Sequence, residues 1–384
     1  MSDQAILTIN AGSSSIKFSV YENGEQLHEL AVGQVEKLGP NSRFVLEAPQ
    51  QVTEDLGATD HASGLQAILK HLPPFLDGRE VTGVGHRIVH GGPEFTKPVQ
   101  LNDAVLDHLA SYEPLAPLHQ PYNLSAVRAA MSAFPLAVQV GCFDTAFHRG
   151  HPWEHDTYAL PRRFYDQGVR RYGFHGLSYE YVSGQLARIA PDLAQGRVII
   201  AHLGNGASMC GLKGGRSHCS TMGFSAVEGL AMGTRTGQID PGVILYLQDH
   251  EGLSTQEVTQ LIYRQSGLKG LSDESHDMRT LLASDKPEAA QAITYYITRI
   301  RHEIGGMAAD LGGLDALVFT GGVGENSDVI RARICEGMGW LGLGLDQAAN
   351  AAHQPEIGTG KVRIFAIPTD EEKVIARAVD RCLG

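Results

Sequence analysis

Several short segments of the chain place polar side chains in turns of small residues beside apolar, strand-like stretches. The first is LTINAGSSSIKFSV (residues 7–20), which carries Asn10, Gly12 and three serines and continues to Lys17. A simple hairpin needs only two turn residues. Small residues let backbone N–H groups approach an anion, and the hydroxyls of Ser13 and Ser14 would add donors. The segment therefore predicts a phosphate-binding turn, and a solvated serine-rich loop is the alternative.

Two arginines lie in settings that suit a phosphoryl or carboxyl group. Arg87 follows an apolar stretch in VGHRIVHGG, and Arg235 lies in the Gly/Thr-rich segment GLAMGTRTGQIDPG. A guanidinium group can bind a carboxylate or phosphate through two parallel hydrogen bonds and can neutralise charge in a transition state. The alternative for each arginine is a surface ion pair.

Three further side chains complete a set that could transfer a phosphoryl group. Asp144 ends the strand-like AVQVGCFDTAFH, His175 lies in YGFHGLSY, and Glu371 lies in PTDEE at a predicted helix start. A carboxylate at a strand end can reach a metal or substrate, and Mg²⁺ prefers oxygen ligands. The alternatives are a helix N-cap for Asp144, a structural role for His175 and favourable helix-end charge for Glu371. No GxxxxGK[ST], GxGxxG, CxxC or HExxH motif is present.

The composition is typical of a globular enzyme and restricts the classes of partner. A length of 384 residues predicts two domains, and a formal charge of −12 argues against a nucleic-acid surface. The five cysteines are odd in number and unpaired in pattern, which favours a reducing cytoplasm. The chain has no signal-like N-terminus and no apolar run long enough to cross a membrane, so we expect a soluble cytoplasmic protein.

The opening segment has a counterpart nearly 190 residues later. RVIIAHLGNGASMCGLKGG (197–215) repeats the order of strand, small-residue turn and strand, and DALVFTGGVGENS (315–327) runs from a buried strand into a glycine turn. This repetition predicts two duplicated α/β lobes that face a cleft. Helices are predicted between the strands, and the C-terminal helix is predicted to pack on the first lobe.

Nine motifs in order resemble those of acetate kinases over essentially the whole chain: LTINAGSSSIKF, GHRIVHGG, LAPLHQPYN, FDTAFH, YGFHGLSY, HLGNGAS, MGTRTGQIDPG, FTGGVGENS and PTDEE. The resemblance implies an α/β fold of two duplicated ribonuclease H-like, actin-type ATPase lobes with a central interlobe cleft. Residues 1–148, completed by the helix at 370–384, would form the N-terminal lobe, and residues 149–369 the nucleotide-binding lobe. It also implies a cytoplasmic homodimer that binds ATP or ADP, Mg²⁺ (with Mn²⁺ as an alternative) and acetate or acetyl phosphate, with neither nucleic acid nor membrane as a partner.

The resemblance assigns roles to individual residues. Asn10 and Glu371 match the magnesium site, Lys17 an ATP contact, and Arg87 the carboxylate-binding arginine. Asp144 matches the essential acidic residue, and His175 and Arg235 the transition-state stabilisers. The nucleotide-binding segments would be His202, Leu203, Gly204, Asn205 and Gly206; Asp277, Met278 and Arg279; and Gly322, Val323, Gly324, Glu325 and Asn326. The pocket for the acyl methyl group would be lined by Val89, Leu118, Phe174 and Ala226.

Several positions depart from the common family pattern without removing a group assigned to the chemistry. They are Leu177, Tyr179, Gln238, Ala226 and the segment LHQPYN. Alanine at 226, where proline is common, enlarges a pocket wall, so a propionate or butyrate kinase is the near alternative. One methylene provides only about 1–3 kcal/mol of discrimination between substrates.

Two other classes of protein are alternatives: a non-catalytic ATP-binding chaperone or sensor, and a sugar kinase. The absence of a peptide-binding extension argues against the first, and the apolar pocket residues against the second.

Overall fold

The computed structural model describes residues 4–12, 15–24 and 27–384, which form two compact units. Unit 1 comprises residues 1–149 and 370–384, and unit 2 comprises residues 150–369. Ser13 and Ser14, which the sequence suggested as anion donors, lie outside the described residues.

The sheet of unit 1 has eight strands in the described residues, in the order β5-β4-β3-β2-β1-β6-β8-β7. Their bounds are β1 Gln4–Ala11, β2 Ile16–Glu22, β3 His28–Glu36, β4 Gly39–Ala48, β5 Val52–Thr59, β6 Glu80–Ile88, β7 Val99–Gln100 and β8 Val138–Phe143. Strands β1 to β5 form an antiparallel series, whereas β1, β6 and β8 run parallel to one another. The carboxyl ends of β1, β6 and β8 therefore lie together at one edge.

The helices of unit 1 cover both faces of this sheet. They are α1 His61–His71, α2 Pro73–Leu76, α3 Asp103–Ala110, α4 Gln120–Ala133 and the C-terminal helix α16 Glu371–Leu383. Helix α1 begins where the Asp60 side chain accepts a hydrogen bond from the backbone of Ser63. Its Leu65 and Ile68 join the buried apolar side chains of the sheet. Helix α16 packs on β1, β6 and β8.

The central sheet of unit 2 repeats the order of unit 1 in shorter form, β11-β10-β9-β12-β13. Its strands are β9 Arg197–Leu203, β10 Ala207–Lys213, β11 Arg216–Ser220, β12 Ala316–Thr320 and β13 Arg363–Ala366. Strands β9, β10 and β11 are antiparallel, and β9, β12 and β13 are parallel. In both units a central strand thus joins an antiparallel series to two parallel strands. The predicted duplication is confirmed at the level of topology.

The remaining helices belong to unit 2, and most are short. They are α5 Trp153–Asp156, α6 Arg162–Asp166, α7 Gly176–Ile189, α8 Pro241–Asp249, α9 Thr255–Gln260, α10 Gly267–Ser272, α11 Met278–Leu282, α12 Pro287–Leu311, α13 Gly321–Asn326, α14 Asp328–Cys335 and α15 Gln347–Ala351. The long helix α12 starts with Pro287 in its first turn and ends at Gly312, whose left-handed backbone terminates it. Helices lie between the strands of both units, as the sequence predicted, and the predicted C-terminal helix is α16.

The two strand–turn–strand segments are antiparallel pairs, as predicted. In unit 1 the register of β1 and β2 places Asn10 opposite Lys17, and the Gly12 N–H donates to the Ser15 carbonyl at 2.8 Å. In unit 2, Ala207 lies opposite Leu203 across the turn from 204 to 206. Among the described residues, no helix is both long and apolar enough to span a lipid bilayer.

Candidate active site

The carboxyl ends of the three parallel strands of unit 1 bring Asn10, Arg87 and Asp144 together. Arg87 precedes the last residue of β6, Asn10 lies near the end of β1, and Asp144 follows β8. The Asp144 carboxylate accepts from Arg87 Nε at 2.8 Å and from Nη2 at 2.6 Å, and Asn10 Oδ1 accepts from Nη1 at 3.1 Å. Neighbouring strand ends in a parallel sheet form such clusters because their loops leave from the same edge.

The hydrogen bonds of Arg87 leave part of its guanidinium group for another partner. An arginine carries five N–H groups in one plane, and three of them donate to Asp144 and Asn10 within the described residues. Asp144 is buried, with a side-chain exposure of 2%, whereas that of Arg87 is 21%. Burial by itself lowers the pKa of Arg87, but the charges of Asp144 and Glu371 outweigh it and raise the pKa above its ordinary value. The group is therefore a permanent cation with donors left for an anion.

The first turn of α16 supplies two more carboxylates to this cluster. Glu371 Oε2 lies 3.8 Å from Arg87 Nε, and Glu372 Oε1 accepts from Asn10 Nδ2 at 3.4 Å. Burial, followed by the negative charges of Asp144 and Glu372, raises the pKa of Glu371 to about 7, although Arg87 and Lys17 act in the opposite direction. Glu372 had no assigned role from its motif, and the only sequence signal for it was its place beside Glu371.

The donors of this cluster suit a hard cation. They are one amide oxygen and carboxylate oxygens, which are the ligands that Mg²⁺ prefers. The pKa of Glu371 is raised first by burial and then by the negative charges of Asp144 and Glu372, and a nearby cation would offset that charge. The described residues contain no preformed group of three or more His, Cys, Asp or Glu ligands. Mg²⁺ usually takes one or two carboxylates and completes its shell with water and substrate phosphates, so the residues present fit that ion.

Asn123 holds the backbone around this cluster. Its Oδ1 accepts from the Val89 N–H at 2.9 Å, and its Nδ2 donates to the Ala11 carbonyl at 2.7 Å. It therefore ties the end of β1 to the residue that follows β6. Asn123 belongs to the motif LAPLHQPYN, but sequence reasoning gave it no role, because side-chain-to-backbone bonds over such separations leave no pattern in the chain.

In unit 2, His175 occupies an uncommon backbone conformation at the start of α7. Its φ of 58° and ψ of 25° are left-handed, which is rare for a residue other than glycine, asparagine or aspartate. Its Nδ1 lies 2.8 Å from Ser208 Oγ, which is also hydrogen-bonded to the Tyr179 hydroxyl. The ring stacks on His202, with centroids 4.3 Å apart. These contacts determine the orientation of the ring and direct Nε2 away from Ser208.

Arg235 lies close to His175. A Cβ atom at Gly206 would be 3.3 Å from His175 Nε2 and 3.8 Å from Arg235 Nη1, so both side chains flank this glycine. Arg235 Nη1 donates to the Ala226 carbonyl at 3.0 Å. The loop that carries Ala226 is held by Glu228, which binds Tyr158 and Arg171 at 2.5 and 2.6 Å. The two residues proposed to act on a phosphoryl group thus meet beside one small-residue turn.

The same unit contains a cavity of about 790 Å³, within the usual range for a small-molecule site. Eight residues of the predicted nucleotide segments line it: Gly204, Asn205, Asp277, Met278, Arg279, Gly322, Val323 and Asn326. Hydrogen bonds from the Arg279 side chain and backbone hold the pKa of Asp277 at about 2.

Sequence reasoning missed eight other lining residues: Leu268, His276, Leu282, Ala283, Tyr296, Ser327, Asp328 and Val329. Most of them lie close to predicted segments along the chain, which was the available signal. Tyr296 comes from the middle of α12, and nothing in its helical pattern distinguishes it from a core residue.

Five residues of the predicted nucleotide segments do not line the cavity. Leu203 is fully buried, and His202, at 9% exposure, stacks on His175 and bonds to Ser178. Gly206 lies between His175 and Arg235. Gly324 is buried, and the Glu325 carboxylate binds backbone groups of its own unit. Some residues of a small-residue turn face the cavity and others pack within the unit, and only the tertiary structure distinguishes them.

The four residues suggested for the acyl methyl pocket come from both units. Val89 is buried and Leu118 half-buried in unit 1, while Phe174 is buried and Ala226 half-buried in unit 2. Their joint action on one substrate group stays a prediction.

Comparisons with known proteins agree over almost the full length. The chain matches the model of the acetokinase family over residues 5–377. It is 51% identical to an acetate kinase of Methylocella silvestris, with 97% of this chain and 96% of that protein covered. It is also 51% identical to an acetate kinase of Rhizobium meliloti, with 97% of both covered.

Solved structures agree with these relatives. The crystal structure of Porphyromonas gingivalis acetate kinase matches with a TM-score of 0.89 at 39% identity, over 99% of this chain and all of that one. A propionate kinase from Francisella tularensis matches with a TM-score of 0.92 at 35% identity and the same coverage.

Proposed function

Because the chain belongs to the acetokinase family, we propose that it is an acetate kinase that transfers the γ-phosphoryl group of ATP in line to acetate and catalyses the reverse reaction. The observation that carries the proposal is the convergence of Asn10, Arg87, Asp144 and Glu371 on one network in unit 1. These residues come from motifs far apart in the sequence, and each carries a group suited to the chemistry.

Acetate is already ionised at neutral pH, so the reaction needs no strong general base. The obstacle is the approach of an anionic carboxylate to an anionic phosphoryl group. Arg87 binds the carboxylate through the N–H groups that Asp144 and Asn10 leave unused. Asp144 is therefore the residue that orients Arg87, rather than a proton acceptor.

Unit 2 is proposed to bind the nucleotide in its cavity, with the glycine turns at 204–206 and 321–324 beside the phosphates. His175 and Arg235 donate to the transferring group, where the left-handed backbone of His175 and the Ser208 contact keep the ring oriented. We propose that these residues and those of unit 1 act on the same phosphoryl group.

Mg²⁺ is proposed as the metal, held by Asn10 and Glu371 with Glu372 nearby; Mn²⁺ would satisfy the same oxygen donors. When bound, the ion neutralises charge on the nucleotide phosphates. Lys17, across the strand pair from Asn10, adds positive charge on the same side.

We also propose that the protein is a homodimer in the cytoplasm. Helix α8 has no buried residue although Val243, Leu245 and Tyr246 are apolar and 42% to 59% exposed, which favours an interface there. The described cysteines are free thiols, a state that a reducing compartment maintains.

The test is a substrate series with the purified protein. Acyl phosphate formation from ATP is measured with acetate, propionate and butyrate, and kcat/KM is compared. We expect acetate to be preferred. A propionate preference of about tenfold or more, equivalent to about 1.4 kcal/mol, would make the protein a propionate kinase. No acyl phosphate from any of the three acids would refute the proposed activity.

A further inference from the structure

Glu325 lies within a predicted nucleotide-binding segment, yet its carboxylate binds the protein's own backbone. Glu325 Oε1 accepts from the Gly321 N–H at 2.8 Å and from the Thr369 N–H at 3.0 Å. The hydroxyl of Thr320 donates to the same oxygen at 3.3 Å. A carboxylate oxygen with three donors is a strong structural acceptor.

The backbone of Glu325 is held as firmly as its side chain. Arg331, which is fully buried, donates from Nη1 to the carbonyls of Glu325 and Gly324 at 2.7 and 2.9 Å. Arg331 Nε in turn donates to Asn350 Oδ1 at 2.7 Å. The position of the Glu325 carboxylate is therefore determined from both ends of the residue.

The two backbone groups that share this oxygen belong to different parts of the proposed site. Gly321 starts the turn whose next residues, Gly322 and Val323, line the cavity. Gly321 has a φ of 76°, and a Cβ atom there would lie 2.8 Å from the Leu203 carbonyl, so this turn has little room to move.

Thr369, the second donor, directly precedes the acidic segment. Asp370 follows it and caps α16 by accepting from the Lys373 N–H at 2.9 Å, and Glu371 is the first residue of that helix. The Thr369 backbone, which Glu325 binds, is thus separated from Glu371 by a single residue.

We propose that Glu325 is a positioning residue that couples the nucleotide turn at 321–324 to the metal-binding acidic segment at 370–372. It is not a nucleotide ligand. The inference rests on the proposed function in one respect: it takes Glu371 and Asn10 as the metal ligands. Without Glu325, the turn and the acidic segment lose their common anchor, and a metal bound to one no longer favours the nucleotide bound at the other.

The experiment is calorimetry of ADP binding to the full chain, in EDTA and over a series of Mg²⁺ concentrations. The variants are Glu325→Ala, Glu325→Gln, Asn10→Ala as a comparator at the metal site, and Glu356→Ala as a matched control. Glu356 is an exposed glutamate paired with Arg363. The measured quantity is the factor by which Mg²⁺ tightens ADP binding, which is a coupling between two ligands.

For Glu325→Ala we expect metal-free ADP affinity to stay within about threefold and the Mg²⁺ factor to fall by about tenfold or more. Glu325→Gln should lose only about two- to fivefold of the factor, because an amide oxygen accepts the same N–H groups less strongly. Asn10→Ala should show the same metal-specific loss, and Glu356→Ala should match the wild type.

Three results would overturn the inference. The first is a tenfold loss of metal-free ADP affinity in Glu325→Ala with the Mg²⁺ factor intact, which would make Glu325 a nucleotide contact. The second is an unchanged Mg²⁺ factor in Glu325→Ala, or in Glu325→Gln if the alanine variant does not fold. The third is a wild type whose ADP binding does not respond to Mg²⁺. A wild type that shows the Mg²⁺ response but forms no acyl phosphate would refute the proposed function alone.

Discussion

At the scale of single residues, Asp144 holds the guanidinium group of Arg87. It occupies the Nε and Nη2 edge of the guanidinium group at 2.8 and 2.6 Å, while Asn10 takes one N–H of Nη1. This geometry supports the proposal that Asp144 acts through Arg87, and not by binding the metal or accepting a proton.

Replacing Asp144 by asparagine tests this distinction. The amide nitrogen of the new side chain would face a guanidinium N–H, and Arg87 would lose its buried counter-charge. We expect kcat/KM for acetate to fall by about 100-fold, or about 2.7 kcal/mol, mainly through KM for acetate, with ADP affinity within about threefold. Steady-state kinetics and calorimetry measure both quantities.

The matched control for that variant is Asp107→Asn, at an exposed ion pair with Arg128. Exposed pairs of this kind contribute about 0–1 kcal/mol, so the control should behave as the wild type. An unchanged KM for acetate together with a lost Mg²⁺ dependence in Asp144→Asn would place Asp144 at the metal instead.

At the scale of elements, the approach of α16 to the sheet depends on two glycines in β6. A Cβ atom at Gly83 would lie 2.3 Å from Val379 Cγ1, and one at Gly85 would lie 2.3 Å from Ile375 Cγ2. The helix therefore packs directly on the strand backbone. Because α16 begins with Glu371, this close packing also determines where that carboxylate lies.

Replacement of glycine by alanine is expected to change the stability in opposite directions at Gly85 in β6 and at Gly306 in α12. Gly85→Ala should destabilise the fold by about 1–3 kcal/mol through overpacking against α16. Gly306→Ala should stabilise it by about 0.5–1 kcal/mol, because Gly306 lies in the interior of α12, where a Cβ atom would meet nothing within 4 Å. Urea unfolding at pH 7 measures both changes. Equal effects in the two variants would contradict the close packing of α16 on β6.

His86, a buried histidine in β6, also predicts how the stability of the protein depends on pH. Burial lowers the pKa of His86 to about 4, although its hydrogen bond to Gln139 acts in the opposite direction. In the unfolded chain a histidine titrates near 6.5. Between these values the unfolded state binds more protons, so the free energy of unfolding decreases as the pH falls from 6.5 towards 4.

Replacing His86 by glutamine should remove this dependence, since an amide can still donate to Gln139 but does not titrate. Between pH 7 and pH 5 the wild type should lose about 2 kcal/mol more than His86→Gln. Denaturant unfolding at the two values measures the difference. His28→Gln, at an exposed position, is the control. Parallel losses in the wild type and His86→Gln would show that His86 does not carry the effect.

At the scale of the whole molecule, the same sheet topology occurs in both units, but the residues at the strand ends differ. In unit 1 the carboxyl ends of the parallel strands carry Arg87 and its carboxylates, and in unit 2 the corresponding strand ends, of β9 and β12, lead into glycine turns that line the cavity. The proposed carboxylate and nucleotide sites are thus built by separate units, and their functions should be separable by mutation.

Two variants test this separation. Gly322→Val places a side chain at a cavity wall where a Cβ atom has open space, so ADP affinity should fall by about tenfold or more through exclusion of the ligand, with little change in melting temperature. Arg87→Ala should abolish acyl phosphate formation and leave metal-free ADP affinity within about threefold. Loss of metal-free ADP affinity in Arg87→Ala would contradict the assignment of the nucleotide cavity to unit 2.

Much of this architecture is encoded in local patterns. The strand, small-residue turn and strand order occurs at residues 7–20 and 197–215, and both are antiparallel pairs in the structure. Pro287 and Gly312 mark the two ends of α12 through their own backbone preferences. The family motifs predicted roles for Asn10, Arg87, Asp144 and Glu371, and the structure joins these four residues in one network.

The sequence alone therefore determined the secondary-structure elements, the duplication and the residues whose side chains could take part in a reaction. These features depend on short-range periodicity and residue type. Only the tertiary structure decided their partners. Asp144 could have capped a helix, but it binds Arg87, 57 residues away along the chain. Glu325 lies in a predicted nucleotide segment, and the structure shows that its carboxylate accepts from the Gly321 and Thr369 N–H groups. Glu372, Asn123 and Tyr296 gained roles only through the parallel strand ends and helix packing. The physical reason is that a side chain's direction depends on how distant strands and helices pack, and no local pattern records that.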